Sequence, residues 1–213
     1  MQSDADGLTF KDLGPIVTAN ISNERAKGIV EVCGAPYVIR DGYFYIYSRD
    51  VMDGFLTQQI HLAVARAKVA DVVRAGLEGK SADWMKFCEG AFSESALGGR
   101  STALEKGNPR LRWMDVSYNT LLRKYIMIVA ANTTPSQVAL FMTWSEDGIT
   151  WAERIRLVEE KGECFYPSML GFGDEQRQTG AEFYVYYTFS AKGGFERWND
   201  AVIARRKIAV NRK

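Results

Sequence analysis

The sequence has few cysteines, a single histidine and no excess of either charge. Its three cysteines, Cys33, Cys88 and Cys164, form no CxxC pair, so neither a disulfide framework nor a structural zinc site is expected. A catalytic cysteine needs a nearby base, and His61 lies in a predicted third strand of a repeat, away from the inner strands. We therefore expect buried free thiols, with no metal and no cofactor.

The charges of the chain nearly cancel, since 27 Lys and Arg face 26 Asp and Glu for a formal net charge of +1. A protein that binds nucleic acid or a membrane surface usually carries a clustered basic excess, so we expect neither partner. No apolar run approaches the roughly 20 residues of a membrane span. The N-terminal MQSDADG is polar and lacks the apolar core of a secretory signal, which leaves the localisation open.

The clearest positive feature is a predicted hairpin, with one strand over residues 36–40, an Asp41-Gly42 turn and a second strand over residues 43–48. Asp-Gly between apolar and aromatic runs is the strongest short hairpin signal. Aromatic strands also follow at residues 124–131 and 182–189, and third strands at 59–66, 138–144 and 200–207. A repeat of about 40 to 50 residues with four short strands is typical of a β-propeller blade.

The repeat predicts an all-β fold, a single but incomplete β-propeller domain over residues 1–213 with about three blades and a partial one. The blades are expected at residues 33–112, 113–163 and 164–213, while residues 1–20 end a preceding blade. The first blade contains an insertion with one short helix over residues 68–78, because Val69, Val72, Val73 and Leu77 recur at helical spacing. A glycine-rich loop follows over residues 84–104, and its part at 90–101 is expected at the mouth of the funnel.

Three short motifs resemble the five-bladed propeller glycoside hydrolases that include families 43 and 32. They are Gly34-Ala35-Pro36-Tyr37 with the Asp41-Gly42 hairpin, Tyr118-Asn119 with Lys124-Tyr125, and Tyr166-Pro167-Ser168 with the strand over 183–188. The resemblance implies a central funnel lined by carboxylates at the starts of the innermost strands. It also implies a general acid two residues before a proline, where this chain has Gly34.

Glycoside hydrolysis needs a protonated acid and an ionised partner on the opposite face of the sugar. By the resemblance, Asp115 matches the carboxylates of that family and is the first candidate. Glu31 and Glu163 lie just upstream of inner strands, and Glu94 lies in the glycine-rich loop beside Arg100. For all four, an ordinary turn or surface acid is the alternative interpretation.

Candidate substrate-binding residues surround these acids in the predicted funnel. Three aromatic residues, Trp84, Tyr118 and Tyr166, could stack on sugar rings, and packing in the core is the alternative interpretation. Arg100 and Ser117 supply polar groups for a carbohydrate ligand. A glycoside hydrolase acting on oligo- or polysaccharides is the first functional hypothesis, and a non-catalytic carbohydrate-binding or assembly module is the alternative.

The number of repeats is too small to close a propeller, which removes its sheet edges only by closing on itself. We therefore expect the C-terminal portion of a larger enzyme, or a shortened protein that covers its edges by forming a two-fold dimer. The contacts of such a dimer are expected in residues 1–20 or 165–210.

Overall fold

A computed structural model describes residues 2–3, 9–21, 34–51, 60–105, 111–134, 137–158, 160–192 and 199–212. These residues are mostly β-strand with one short helix, so the predicted all-β class is confirmed. The elements are β1 Gln2–Ser3, β2 Phe10–Lys11, β3 Tyr37–Arg40, β4 Tyr43–Val51, β5 Ile60–Lys68, α1 Val69–Leu77, β6 Met85–Cys88, β7 Ala91–Ser95, β8 Leu111–Asn119, β9 Lys124–Thr134, β10 Gln137–Ser145, β11 Ile155–Arg156, β12 Glu163–Gly171, β13 Gln178–Thr179, β14 Glu182–Ser190 and β15 Val202–Ala209.

The strands form two large sheets and two smaller ones within the described residues. One five-stranded sheet has the order β3-β4-β5-β6-β7, and a second has the order β11-β10-β9-β8-β13. The remaining sheets are β12-β14-β15 and the short pair β1-β2. All neighbours are antiparallel except β13, which runs parallel to β8. The chain divides into two compact units, Met1–Ala103 and Leu104–Lys213, and the predicted blade boundaries stay a prediction.

The first hairpin forms as the Asp-Gly signal predicts. Asp41 and Gly42 both have positive φ, at 49° and 77°, and such a turn matches the right-handed twist of the strands that it joins. Arg40 therefore pairs directly with Tyr43, and the register continues along β3 and β4. The predicted helix is also present, one residue shorter at each end than its pattern suggested.

The predicted glycine-rich loop is wrong in its first part, because residues 85–95 form the hairpin β6–β7. Glu89 and Gly90 make its turn with φ of 50° and 91°, and a glutamate at positive φ is hard to foresee. Gly99 then passes so close to the hairpin that a Cβ there would lie 2.2 Å from the Ser95 carbonyl oxygen. Gly99 thus serves close backbone packing, whereas Gly90 and Gly98 have positive φ and no close neighbour.

Each unit has its own apolar core. In the first unit, Ile46, Ala65, Trp84 and Ala96 form a buried cluster against which Phe44 packs. In the second unit, the central strand β9 is buried from Tyr125 to Ala131, and β12 packs against its sheet. A strand that is buried on both faces has a continuous run of apolar residues instead of alternating apolar and polar ones. The sequence IMIVAA at residues 126–131 of β9 is such a run.

Pro167 marks an irregularity in β12. The pairing of β12 with β14 shifts between Phe165 and Ser168, and Tyr166 has a φ of 50°. Proline has no N–H for the ladder, so a bulge is where a strand accepts it. The bulge turns Tyr166 outward, and 45% of that residue is exposed.

Candidate functional site

A cavity of about 700 Å³ opens in the second unit, within the size range of small-molecule sites. Its walls come from the C-terminal part of β9, from the middle of β10, from the turn after β10 and from the segment that precedes β8. The lining residues are Leu104, Glu105, Ala131, Asn132, Phe141, Thr150, Trp151, Ala152, Glu153 and Arg154. The cavity therefore combines two aromatic side chains with several polar groups.

A hydrogen-bonded turn positions Trp151 at the cavity. The Asp147 carboxylate accepts hydrogen bonds from the backbone amides of Ile149 and Thr150, at 2.8 and 2.7 Å, and from the Ser145 hydroxyl. Burial opposes the charge of Asp147, but these hydrogen bonds outweigh that cost and lower its pKa. Gly148 supplies the positive φ that the turn requires. An ordered turn of this kind fixes the tryptophan that follows it.

A buried ion pair forms the polar part of the cavity. Arg154 donates from Nε to Glu105 Oε1 at 2.7 Å, and its Nη2 donates to Glu105 Oε2. The two side chains are only 9% and 10% exposed. A bidentate pair of this geometry holds both side chains in fixed orientations. The remaining Arg154 nitrogen, Nη1, is buried and has no acceptor among the described residues.

The other polar lining residues complete the donors and acceptors of the cavity. Glu153 is exposed and Thr150 lies on the rim turn, while Phe141 adds a second half-buried aromatic wall. Aromatic walls beside a charged hydrogen-bonding pair suit a small ligand with one apolar face and several hydroxyl groups. Two carboxylates, Glu105 and Glu153, border the same space.

Asp115, the first predicted catalytic acid, lies in a buried hydrogen-bond network. Its Oδ1 accepts the Val116 amide at 2.9 Å and Arg177 Nη2 at 2.9 Å. Its Oδ2 accepts the Met169 amide at 2.6 Å and Arg177 Nη1 at 3.4 Å. A carboxylate has about four acceptor positions, and the protein itself fills them. Asp115 thus ties β8 to β12, and its catalytic role stays a prediction.

Of the other three predicted acids, one is outside the described residues and two do not line the 700 Å³ cavity. Glu31 is among the residues that the structure does not describe. Glu94 lies on β7 and accepts hydrogen bonds from the exposed Arg100 at 3.2 and 3.3 Å, as the surface alternative proposed. Glu163 is buried at the start of β12. Beside it, burial raises the pKa of the Cys164 thiol to about 12.

The predicted sugar-binding residues also have other neighbours. Trp84 is 6% exposed and belongs to the core cluster of the first unit. Ser117 is buried and donates to the Arg177 carbonyl while accepting the Thr179 amide, which joins β8 to β13. Tyr118 contacts the Tyr125 ring at 5.4 Å between centroids. The ring of the partly exposed Tyr166 packs against Trp113, with 4.3 Å between the ring centroids. None of these four residues lines the 700 Å³ cavity.

Sequence reasoning overlooked the cavity residues Glu105, Trp151 and Arg154. Residues 145–151 contain an Asp-Gly turn signal, which by itself does not indicate that the tryptophan closing the turn contacts a ligand. The available signal was the tryptophan directly after an Asp-Gly turn, followed by Glu153 and Arg154. Glu105 had no signal, since it is far from Arg154 along the chain.

No group of three His, Cys, Asp or Glu side chains in the described ranges has an arrangement that could hold a metal ion. Within the same ranges, no helix has the length and apolar character to cross a membrane.

No protein-family model and no curated protein matches the chain. Among solved structures, the chain is similar to an N-acetylgalactosamine deacetylase from F. plautii, crystallised in complex with blood group B trisaccharide. The alignment has a TM-score of 0.45 and 14% identity, and it covers 81% of this chain. The chain spans about half of the deacetylase, 48% of its length. A likeness of this degree assigns neither a fold nor an activity to the chain.

Proposed function

We propose that this protein binds carbohydrate in the 700 Å³ cavity of its second unit, on blades of the five-bladed propeller glycoside hydrolase type. The observation that carries the proposal is the joint lining of the cavity by Trp151 and the buried Arg154–Glu105 pair. A sugar ring offers a face of C–H groups, which packs on an aromatic ring, and an edge of hydroxyls. Those hydroxyls can hydrogen-bond to the N–H groups and the carboxylate of the Arg154–Glu105 pair, which are held in fixed positions.

The arrangement of the sheets supports the propeller part of the proposal. Apart from the short parallel strand β13, the three larger sheets are antiparallel, and the hairpins β4–β5, β9–β10 and β14–β15 occupy corresponding places in them. Blades of a propeller are antiparallel sheets of this kind.

Saccharide binding is tested by titrating the full chain with neutral oligosaccharides and following tryptophan fluorescence and heat. We expect Trp151→Ala to weaken binding by about tenfold or more, as expected for loss of a central aromatic contact. Trp151→Phe keeps an apolar ring and should retain most of the affinity. Tyr37→Ala removes an exposed aromatic side chain from the other unit and serves as the matched control. Equal binding by all four proteins, or no saccharide binding at all, contradicts the proposal.

Hydrolysis of glycosidic bonds is the second candidate function, and the pair of carboxylates at the cavity favours it. Glu105 is held by Arg154, while Glu153 is exposed and has the freedom to meet a leaving-group oxygen. A glycosidase needs two such acids with different roles. Release of reducing ends that Glu153→Gln abolishes, with binding retained, supports this reaction. Glu146→Gln is the control, since Glu146 lies on the same turn, pairs with Lys124 and does not line the cavity.

Self-association remains the proposed way of covering open strands. β15 is the last strand of its sheet among the described residues, and Val202 and Ile203 near its start are 57% and 81% exposed. An unpaired strand edge with exposed apolar side chains favours pairing with another chain. Light scattering of the full chain should give the mass of a dimer, and a monomer at micromolar concentration contradicts the proposal.

A further inference from the structure

Two hairpins of the protein carry the same pattern of tyrosines and cations on one face. On β4, Tyr43 and Tyr45 lie opposite Lys68 and Arg66 of β5. On β14, a second Tyr-x-Tyr lies opposite a second pair of cations on β15, with Tyr184 facing Lys207 and Tyr186 facing Arg205. Residues two apart on a strand share a face, so each hairpin presents two tyrosines, an arginine and a lysine together.

Aromatic rings hold Arg66 in the first of these hairpins. Its guanidinium carbon lies 4.4 Å from the centroid of Tyr43 and 4.0 Å from that of Phe92. Contact with two rings restricts the rotamers of a long side chain and leaves the N–H groups at the guanidinium edge directed away from the rings. Arg66 is only half-buried, so this edge is accessible to a ligand.

No carboxylate neutralises Arg66 within the described residues. The acid on the neighbouring hairpin, Glu94, pairs in register with Lys86 and therefore points to the opposite face of the sheet from Arg66. It bonds Arg100 instead. Lys68 beside Arg66 is exposed and adds a second positive charge. The face thus presents a rigid guanidinium whose charge the described residues leave uncompensated.

Arg205 repeats this arrangement in the other unit. Its guanidinium carbon lies 4.3 Å from the Tyr184 ring centroid and 6.0 Å from that of Tyr186. It also has no carboxylate partner in the described ranges, although the neighbouring Lys207 pairs with Glu182 at 2.8 Å. The second face is therefore less positive than the first.

The middle hairpin shows that strand pairing does not require this pattern. On β9 and β10, Met127 lies opposite Thr143 and Tyr125 lies opposite Ser145, with no cation at either place. The three hairpins have otherwise corresponding positions in their sheets. That face of the middle hairpin is buried, whereas the tyrosines of the two outer hairpins are half-buried, so the cations occur where the face reaches solvent.

We propose that Arg66 binds the carboxylate or sulfate ester of an acidic saccharide, and that Arg205 provides a second, weaker site of the same kind. The planar guanidinium fork matches both oxyanions by two parallel hydrogen bonds. The adjacent tyrosine ring offers an apolar surface to the sugar that carries the anion. The anion site follows from the geometry of Arg66 alone, whereas its assignment to a saccharide rests on the proposed function.

The test measures binding of three polysaccharides to the full chain by calorimetry at low and at high salt. Polygalacturonate carries carboxylates, dextran sulfate carries sulfate esters, and dextran is neutral. We expect both acidic polymers to bind more tightly than dextran, and high salt to weaken them. Arg66→Gln should lower the affinity about tenfold, because a charge-assisted bidentate contact is lost. Arg66→Lys keeps the charge without the fork and should recover only part of this loss.

Arg74→Gln is the matched control, since it removes one positive charge from an exposed arginine that already pairs with Asp71. If this variant weakens binding as much as Arg66→Gln, net charge explains the effect and the proposal is wrong. The proposal is also wrong if the double variant Arg66→Gln/Arg205→Gln binds like the wild type. Equal, Arg66-dependent binding of polyglutamate would keep the anion site but overturn its assignment to saccharides.

The outcome is independent of the cavity in the second unit. Trp151→Ala should leave the binding of acidic polymers at Arg66 unchanged, because the two residues belong to different sites. Loss of neutral oligosaccharide binding in Trp151→Ala, together with intact polygalacturonate binding, therefore supports both proposals separately.

Discussion

Two buried aspartates, one in each unit, use the same local geometry but have different environments. Asp50 and Asp115 each accept the amide of the residue that follows them in their strand, both at 2.9 Å. Each also binds one cation, Lys86 for Asp50 and Arg177 for Asp115. In the first pair both side chains are 2% exposed, whereas Arg177 is 35% exposed. The first pair is therefore sealed from water and the second is not.

Because Lys86 is buried, each of its N–H donors needs a protein acceptor. Lys86 uses its three N–H donors on Asp50, on the Thr18 carbonyl and on the Gly99 carbonyl, at 2.7, 2.8 and 2.9 Å. A buried ammonium without such partners would be strongly destabilising. Arg177 donates to both oxygens of Asp115 and to the Val116 carbonyl, while its side chain keeps contact with solvent. The Gly99 carbonyl accepts one of the Lys86 hydrogen bonds, which explains why Gly99 lies so close to the β6–β7 hairpin.

The largest effect should come from removing the buried cation. Lys86→Met leaves Asp50 as an uncompensated buried charge, and we expect the first unit to lose about 3–5 kcal/mol of stability. Hydrogen exchange followed by mass spectrometry reports each unit separately. Faster exchange is expected throughout residues 34–103, with little change in residues 111–192. Lys80→Met serves as the control, because Lys80 is 67% exposed and pairs with Glu78 at the surface.

A double variant separates the loss of the pair from the loss of a side chain. Asp50→Asn/Lys86→Met removes both charges and should recover a large part of the stability lost in Lys86→Met, since no isolated charge remains. If the double variant is as unstable as the single variant, the unpaired carboxylate is not the cause.

A smaller effect is expected for Asp115→Asn. The change removes the charge that Arg177 pairs with and places an NH2 group where an oxygen accepts a backbone amide, at a cost of about 1–3 kcal/mol. Denaturation of the full chain and exchange in residues 111–192 measure this cost, and Asp71→Asn on the exposed side of α1 is the control. Loss of a hydrolytic activity without loss of stability would instead support the catalytic role predicted for Asp115.

The strands were predictable where one short pattern determines them. Asp41-Gly42 specified both the turn and the register of the first hairpin. The hairpin β6–β7 was missed because its turn has Glu89 at positive φ, a conformation that glutamate rarely adopts. Local sequence carries no signal for such a turn.

The candidate site was less predictable because its pairs are distant in sequence. Glu105 and Arg154 are brought together by the packing of the second unit, and each residue separately resembles an ordinary surface charge. Asp115 was recognised as important, but its partner Arg177 lies on a loop whose position depends on the parallel pairing of β13 with β8. Sequence alone shows which acids exist and leaves open which of them the fold neutralises.

His61 makes the first network sensitive to pH and has no counterpart in the second. Its Nε2 lies 2.8 Å from the Ser101 hydroxyl, which donates to Asp50. Burial lowers the pKa of His61, the charge of Asp50 opposes this shift, and Lys86 adds to it. The unfolded chain thus takes up a proton near its ordinary pKa of 6.5, while the folded state does so only at lower pH. Stability is full above pH 6.5 and falls as the pH decreases below it.

We expect the first unit to lose stability as the pH falls from about 7.5 to 5.5, because the unfolded chain takes up a proton on His61 that the folded state does not. His61→Gln keeps a hydrogen-bonding side chain beside Ser101 and should remove this dependence. Denaturation at the two pH values measures it. Carboxylates titrate below this window, so an unchanged slope in the variant would show that another group is responsible.

Arg177→Gln should have the smallest effect, although it breaks the pair corresponding to Asp50–Lys86. Arg177 is 35% exposed, and after its removal water can reach the space beside Asp115, which still accepts the Val116 and Met169 amides. An ion pair in contact with solvent contributes about 1 kcal/mol or less. Denaturation at low and high salt should show a small loss that salt reduces. A loss as large as that of Lys86→Met would mean that Asp115 is as isolated from water as Asp50, and that exposure of the cation does not explain the difference between the two networks.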